Sequence, residues 1–128
     1  MRQTFRKEEC LTSKKIIAEL FSNGKSFQNN FLRVIFSETE LPAKVPAQVL
    51  FSVPKKKFKS AVQRNTIKRR MREAYRKNKF ILYERLEKSN KQMAFMFIYN
   101  SAGENEYGEI EDKIILSLHR LITMATQS

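Results

Sequence analysis

Between Ser60 and Asn78 the apolar residues Ile67, Met71, Ala74 and Tyr75 recur at helical spacing, and no other stretch constrains the fold as strongly. At about 100° per residue they share one arc of about 100°, while Asn65, Lys68, Arg69, Arg72 and Arg76 share a neighbouring arc of similar width. The first arc can pack on a sheet while the second presents cations to the outside. Ser60 and Gln63 form a possible capping box, so the helix is expected over about 60–78. Phase alone leaves Arg64, near the helix start, and Arg70, turned away from the stripe, unplaced.

The charge of this segment is out of proportion to the rest of the chain. Residues 55–79 hold twelve Lys and Arg against one acid, Glu73; the remaining residues hold thirteen basic and twelve acidic side chains. Nearly all of the formal charge of +12 is therefore local. Like charges four residues apart, as in Lys68 with Arg72 and Arg72 with Arg76, disfavour an isolated helix by roughly 0.2–0.5 kcal/mol per pair. Folding gains nothing from them. A polyanion turns the same repulsion into binding, because each neutralised phosphate releases condensed counterions. Arginine dominates the stripe, as expected where planar forks meet phosphate oxygens.

The 128 residues are read as one domain, 1–128. A first helix is expected over about 12–23, with Thr12 or Ser13 as N-cap, Asn23-Gly24 at its end, and Ile16, Ile17, Leu20 and Phe21 on one face. "SFQNNFLRVIF" reads as one or two strands around Asn29-Asn30, and the two prolines of "SETELPAKVP" mark a loop. "AQVLFSV" is apolar enough for a central strand covered on both faces, and "KQMAFMFIYN" for a second buried strand. A last helix is expected over about 108–125, with Glu109, Glu111 and Asp112 in its first turn and Ile110, Ile114, Ile115, Leu118, Leu121 and Ile122 on one face. This order of elements defines an α/β (α+β) domain built on one sheet.

Several functions are disfavoured. A self-sufficient nuclease needs carboxylates arranged around metals, or an acid/base pair; neither is evident. His119 is the only histidine and reads as structural, and Cys10 is a lone bystander thiol. The acids between Glu104 and Asp112 read as helix-terminus and loop charges. No Gly-rich phosphate loop is present. No apolar run reaches the roughly 18 residues of a membrane span, and the start of the chain lacks a secretory signal, so a cytoplasmic protein without a membrane partner is expected. Flanking strands argue against a helix that projects into a DNA major groove.

Arg64, Asn65, Lys68, Arg69 and Arg72, standing as R-N-x-x-K-R-x-x-R-E, resemble the signature of the bacterial ribonuclease P protein subunit. The resemblance extends over "FSVPKKKFKSAVQRNTIKRRMREAYR" and to the first helix, "LTSKKIIAELFSNGKSF". It implies a mixed four-stranded sheet flanked by about three helices, of the ribosomal protein S5 domain 2-like type, with a left-handed βαβ crossover. It also implies a protein that binds the catalytic ribonuclease P RNA and the 5′ leader of precursor tRNA. Cleavage would be done by the RNA and by Mg²⁺ held mainly by that RNA, with no cofactor on the protein alone and no obligate protein partner. The set facing the catalytic RNA would be Arg64, Asn65, Lys68, Arg69, Arg72 and Arg76, with Lys55, Lys56 and Lys57 of the preceding turn. Asn65 has an alternative structural role, bonding local backbone or orienting an arginine. The leader cleft would involve Phe21, Ile17, Arg33 and Ile35, with Phe21 either stacking on a base or buried in the core. The chain departs from the family where Ile17 and Ile35 replace aromatics, Pro54 replaces a serine, and Tyr99-Asn100 replace an alanine and an arginine. Arg33, Arg70 or stacking on Tyr99 would then offset the cation missing at Asn100. The alternative is a structural RNA-binding protein of the ribosomal or assembly type, with no associated nuclease.

Overall fold

A computed structural model describes residues 4–101 and 103–125. Ala102 and the two ends of the expected 1–128 domain lie outside the described residues. After a 3₁₀ turn at Lys7–Glu9 come α1 (Lys14–Asn23), β1 (Lys25–Asn29), β2 (Leu32–Glu38), β3 (Ala47–Ser52), α2 (Ala61–Asn78), α3 (Phe80–Lys88), β4 (Met93–Tyr99) and α4 (Tyr107–Ala125). The strands form one mixed sheet in the order β1-β2-β4-β3, antiparallel except for the parallel pair β3 and β4.

Alternation along the strands divides the core in two. Val34 and Phe36 of β2, Val49 and Phe51 of β3, and Phe95 and Phe97 of β4 face one side, where Ile67, Met71, Ala74 and Tyr75 of α2, Leu82 and Leu86 of α3, and Ile110, Ile114, Leu118 and Leu121 of α4 complete the larger cluster. Ile35 and Ala94 face the other side and pack with Leu11, Leu20 and Leu41. The four apolar residues expected on the underside of α2 are all buried. Truncating a ring such as Phe95, which is fully buried, costs about 3–5 kcal/mol.

Local chemistry sets the ends of the elements. The Ser13 hydroxyl accepts from Ile16 N at 3.3 Å and starts α1; the Ser60 hydroxyl accepts from Gln63 N at 3.3 Å and starts α2. Gly24 follows α1 with φ −69°, so its need for glycine is not left-handed backbone but close approach: a Cβ there would strike the Leu20 carbonyl and come to 3.0 Å from Ile35 Cγ2. Asn30, at φ 59°, turns β1 into β2, which resolves "SFQNNFLRVIF" into two strands. Gln92 clamps the proline loop, accepting from Leu41 N at 3.0 Å and donating to Ala43 O at 3.0 Å and Val45 O at 2.9 Å.

Four expectations need correction. There are four α-helices among the described residues, not about three, because "FILYERLEK" continues as α3 after Lys79. Leu82 and Leu86, four residues apart and both buried, were the signal for it. The run "AQVLFSV" forms an edge strand, and β2 and β4 are the strands flanked on both sides. β3 is mostly buried although it lies at the edge, and the N-terminal segment covers its outer side: Cys10 bridges Val49, and Leu11 N donates to Val49 O at 2.9 Å. The other edge of the sheet, β1, has no neighbouring strand among the described residues. On α1, Leu20 is buried but Phe21 is 64% exposed. On α4, whose first turn begins at Tyr107, only Glu109 of the three acids lies in that turn.

A buried charge pair fastens the N-terminal segment to the junction of α2 and α3. Glu9 and Lys79 are each 4% exposed, with Lys79 Nζ 2.5 Å from Glu9 Oε1. The same carboxylate accepts from Tyr83 OH at 2.6 Å and from Arg6 N at 2.7 Å. Burial pushes the Glu9 carboxyl up, but these donors together with the Lys79 charge hold it below the usual range. Tyr75 OH donates to Tyr83 OH at 3.0 Å, and burial pushes both phenols well above their ordinary range.

Candidate nucleic-acid interface

With its apolar arc against the sheet, α2 turns Asn65, Arg69 and Arg72 into solvent, and Lys68 stands half-buried beside them. The side chains of Lys68, Arg69 and Arg72 make no hydrogen bond or ion pair among the described residues. Lys55 and Lys56, exposed on the turn before α2, make none either. These cations form a ridge along one side of the helix, continuous with the turn. Asn65 is exposed, and its side chain hydrogen-bonds neither local backbone nor an arginine among the described residues.

Four other cations of the segment are engaged internally. Arg64 bends back along the helix start and donates through Nη1 to Phe58 O at 2.6 Å and Lys59 O at 3.0 Å. Arg76 pairs with Glu73 three residues earlier; this bond holds the Glu73 carboxyl below its usual range and the guanidinium above its own. Lys57 Nζ donates to Asn100 Oδ1 at 2.5 Å, joining the basic turn to the end of β4. Arg70 Nη1 lies 2.9 Å from Glu104 Oε1 and donates to Asn105 O at 2.9 Å.

Those pairings correct two expectations about the family departures. Arg70 is occupied by the protein's own carboxylate and so does not replace a cation at position 100. Tyr99 is fully buried, with its hydroxyl donating to Gly103 O at 2.8 Å and accepting from Asn105 N at 2.8 Å, so no base can stack on it. Nothing in the spacing of the sequence joins Glu104, one of the expected helix-terminus and loop charges, to Arg70.

The second sheet face carries the other expected residues. α1 covers part of it, with Ile16 and Ile17 half-buried against the cluster of Leu20, Ile35 and Ala94. Ile35 is 5% exposed and forms the floor. Arg33 is exposed on β2, paired across the sheet with Ile98 on β4, which in turn stands opposite Ser52 on β3. Phe21 projects from α1. The structure therefore separates the four: Ile35 and Ile17 are packing residues, whereas Phe21 and Arg33 offer an aromatic ring and a cation at the surface.

Among the described residues, no group of three or more His, Cys, Asp or Glu is placed to hold a metal ion, and no helix is long and apolar enough to cross a membrane. His119 is exposed on α4.

A small α/β domain that displays an unneutralised cationic helix ridge falls into the class of electrostatic polyanion binders. The sequence pattern of one family, described as "Ribonuclease P", matches residues 5–122. The ribonuclease P protein component of Chlorobium phaeobacteroides is 39% identical over 94 residues, which cover 71% of this chain and 64% of that protein. That of Porphyromonas gingivalis is 33% identical over 115 residues, covering 90% of this chain and 84% of the relative. The match to the Chlorobium protein thus spans just under two thirds of its length. In architecture the chain is similar to the RNase P protein from Thermotoga maritima, with a TM-score of 0.70 at 23% identity over 88% of this chain and 96% of that one. The Staphylococcus aureus RNase P protein superposes with a TM-score of 0.63 at 21% identity, over 94% and 97% of the two chains. This chain belongs to the ribonuclease P protein family.

Proposed function

We propose that this chain is the protein subunit of a bacterial ribonuclease P, binding the catalytic RNA along the α2 ridge and assisting removal of 5′ leaders from precursor tRNA. The observation that carries the reading is the ridge itself: Lys68, Arg69 and Arg72 stand on a helix whose apolar face is fully buried, and no carboxylate of the described residues neutralises them. Phosphate is the ligand such an array accommodates, and Arg69 and Arg72 can each donate to its oxygens bidentately. Lys55 and Lys56 extend the surface, with Asn65 available to a sugar or phosphate oxygen. Arg64, Arg76 and Lys57 take a supporting part, shaping the turn and the helix around the free cations.

Phe21 and Arg33 are proposed to meet the single-stranded leader. An exposed ring stacks on any base, which suits a protein that meets many leader sequences. Ile17 and Ile35 supply the apolar support beneath. Among the described residues, Glu73 and Glu104 beside the ridge are each paired with an arginine. In this reading cleavage is done by the RNA and by Mg²⁺ that the RNA holds.

Reconstitution tests this. The protein is added to a bacterial ribonuclease P RNA at low Mg²⁺, and cleavage of precursor tRNA is followed. Cleavage is expected to rise on addition of the protein; RNA binding without any rise would favour a structural RNA-binding protein instead.

A further inference from the structure

The ridge ends abruptly on one flank. Around the helix from Arg69 and Arg72, which make no ion pair among the described residues, Arg70 meets Glu104 at 2.9 Å. The contact is built from both sides. Gln63, nearly two turns earlier on α2, extends Nε2 to the other Glu104 oxygen at 3.5 Å, and Asn105 O accepts from the same Arg70 nitrogen at 2.9 Å. The segment that carries Glu104 is held from the core, because the fully buried Tyr99 bonds Gly103 O and Asn105 N at 2.8 Å each. With side chains 29% and 34% exposed, the Arg70 and Glu104 pair is too wet to contribute much to folding. Its effect on a phosphate backbone is larger: a fixed carboxylate beside the ridge repels phosphate and withholds one guanidinium from it.

We propose that Glu104 sets the lateral edge of the RNA footprint, holding Arg70 out of the contact so that the backbone is confined to the side of Asn65, Lys68, Arg69 and Arg72. This rests on the reading of the ridge as an RNA-binding surface. Glu104 acts through Arg70 and is a positioning residue; nothing in the proposal requires it to touch RNA.

The experiment measures affinity of the full chain for a bacterial ribonuclease P RNA over a series of salt concentrations. Variants Glu104→Gln, Arg70→Ala with Glu104→Gln, and Arg72→Ala are compared with the parent, with folding checked by thermal melting. Freed of its partner, Arg70 meets a phosphate in Glu104→Gln, so the slope of log K against log salt steepens by about one. The double variant returns to the parent slope. If Glu104→Gln leaves the slope unchanged while Arg72→Ala lowers it, the proposal is overturned and the ridge reading stands. If the double variant is flatter than the parent by about one, Arg70 already contacts RNA and the proposal is likewise overturned. If Arg72→Ala also changes nothing, the ridge reading fails and this inference with it. Should Glu104→Gln not fold, the double variant decides alone, a parent-like slope supporting the proposal and a flatter one overturning it.

Discussion

Arg64 donates to the carbonyl of Phe58 at 2.6 Å, and so the first arginine of α2 closes the turn that carries the exposed lysines. A charged donor satisfying a half-buried carbonyl contributes about 1.5–3 kcal/mol. Arg64→Ala is therefore expected to lose stability of that order in urea unfolding, whereas Arg69→Ala, at an exposed and unpaired position, should stay within about 0.5 kcal/mol of the parent. Equal stabilities for the two variants would remove the structural role given to Arg64.

Arg69 and Arg72 carry the opposite signature. Replacing either by alanine should flatten the salt dependence of catalytic-RNA binding by about one unit, at unchanged stability. Filter binding across a salt series reads the slope directly. Parallel slopes for parent and variants would mean that no phosphate meets these side chains.

Phe21 separates packing from recognition. Since it is 64% exposed, Phe21→Ala should alter stability by no more than about 0.5 kcal/mol. If a leader base stacks on the ring, the reconstituted enzyme should lose about 1–3 kcal/mol of affinity for precursor tRNA and none for mature tRNA. Equal losses for the two RNAs would take Phe21 out of the leader contact.

The Glu9 carboxyl, held below its usual range, makes stability depend on pH with a definite sign. A depressed folded-state pKa contributes stability that is full above the unfolded value of about 4.3 and disappears as pH falls through the folded value. Protonation would leave Lys79 buried without its counter-charge. Glu9→Gln does the same at every pH, and breaking a buried pair in this way costs about 3–5 kcal/mol. Melting curves between neutral pH and pH 3 should show an acid loss in the parent that is smaller in Glu9→Gln. Identical acid limbs would exclude Glu9 as its source.

The underside of α2 was legible in the sequence because helical geometry alone brings Ile67, Met71, Ala74 and Tyr75 to one face. Phe21 was not: it follows Leu20 at the margin of the apolar arc of α1, and whether a margin is buried depends on how far the covering sheet extends. The strand β3 misled because an apolar run reports enclosure, and enclosure by the segment at Cys10 and Leu11 looks the same as enclosure by another strand. The pairing of Glu9 with Lys79, and that of Arg70 with Glu104, join residues far apart in the chain through tertiary packing that no local spacing reports.

The unpaired margin at β1 is only five residues long and begins with the exposed Lys25. A short rim that opens on a cation is a poor template for another copy, because matching rims would bring like charges together. For a chain with a formal charge of +12, such a blunted border guards against fibre-like stacking at a sheet edge that, among the described residues, has no neighbouring strand.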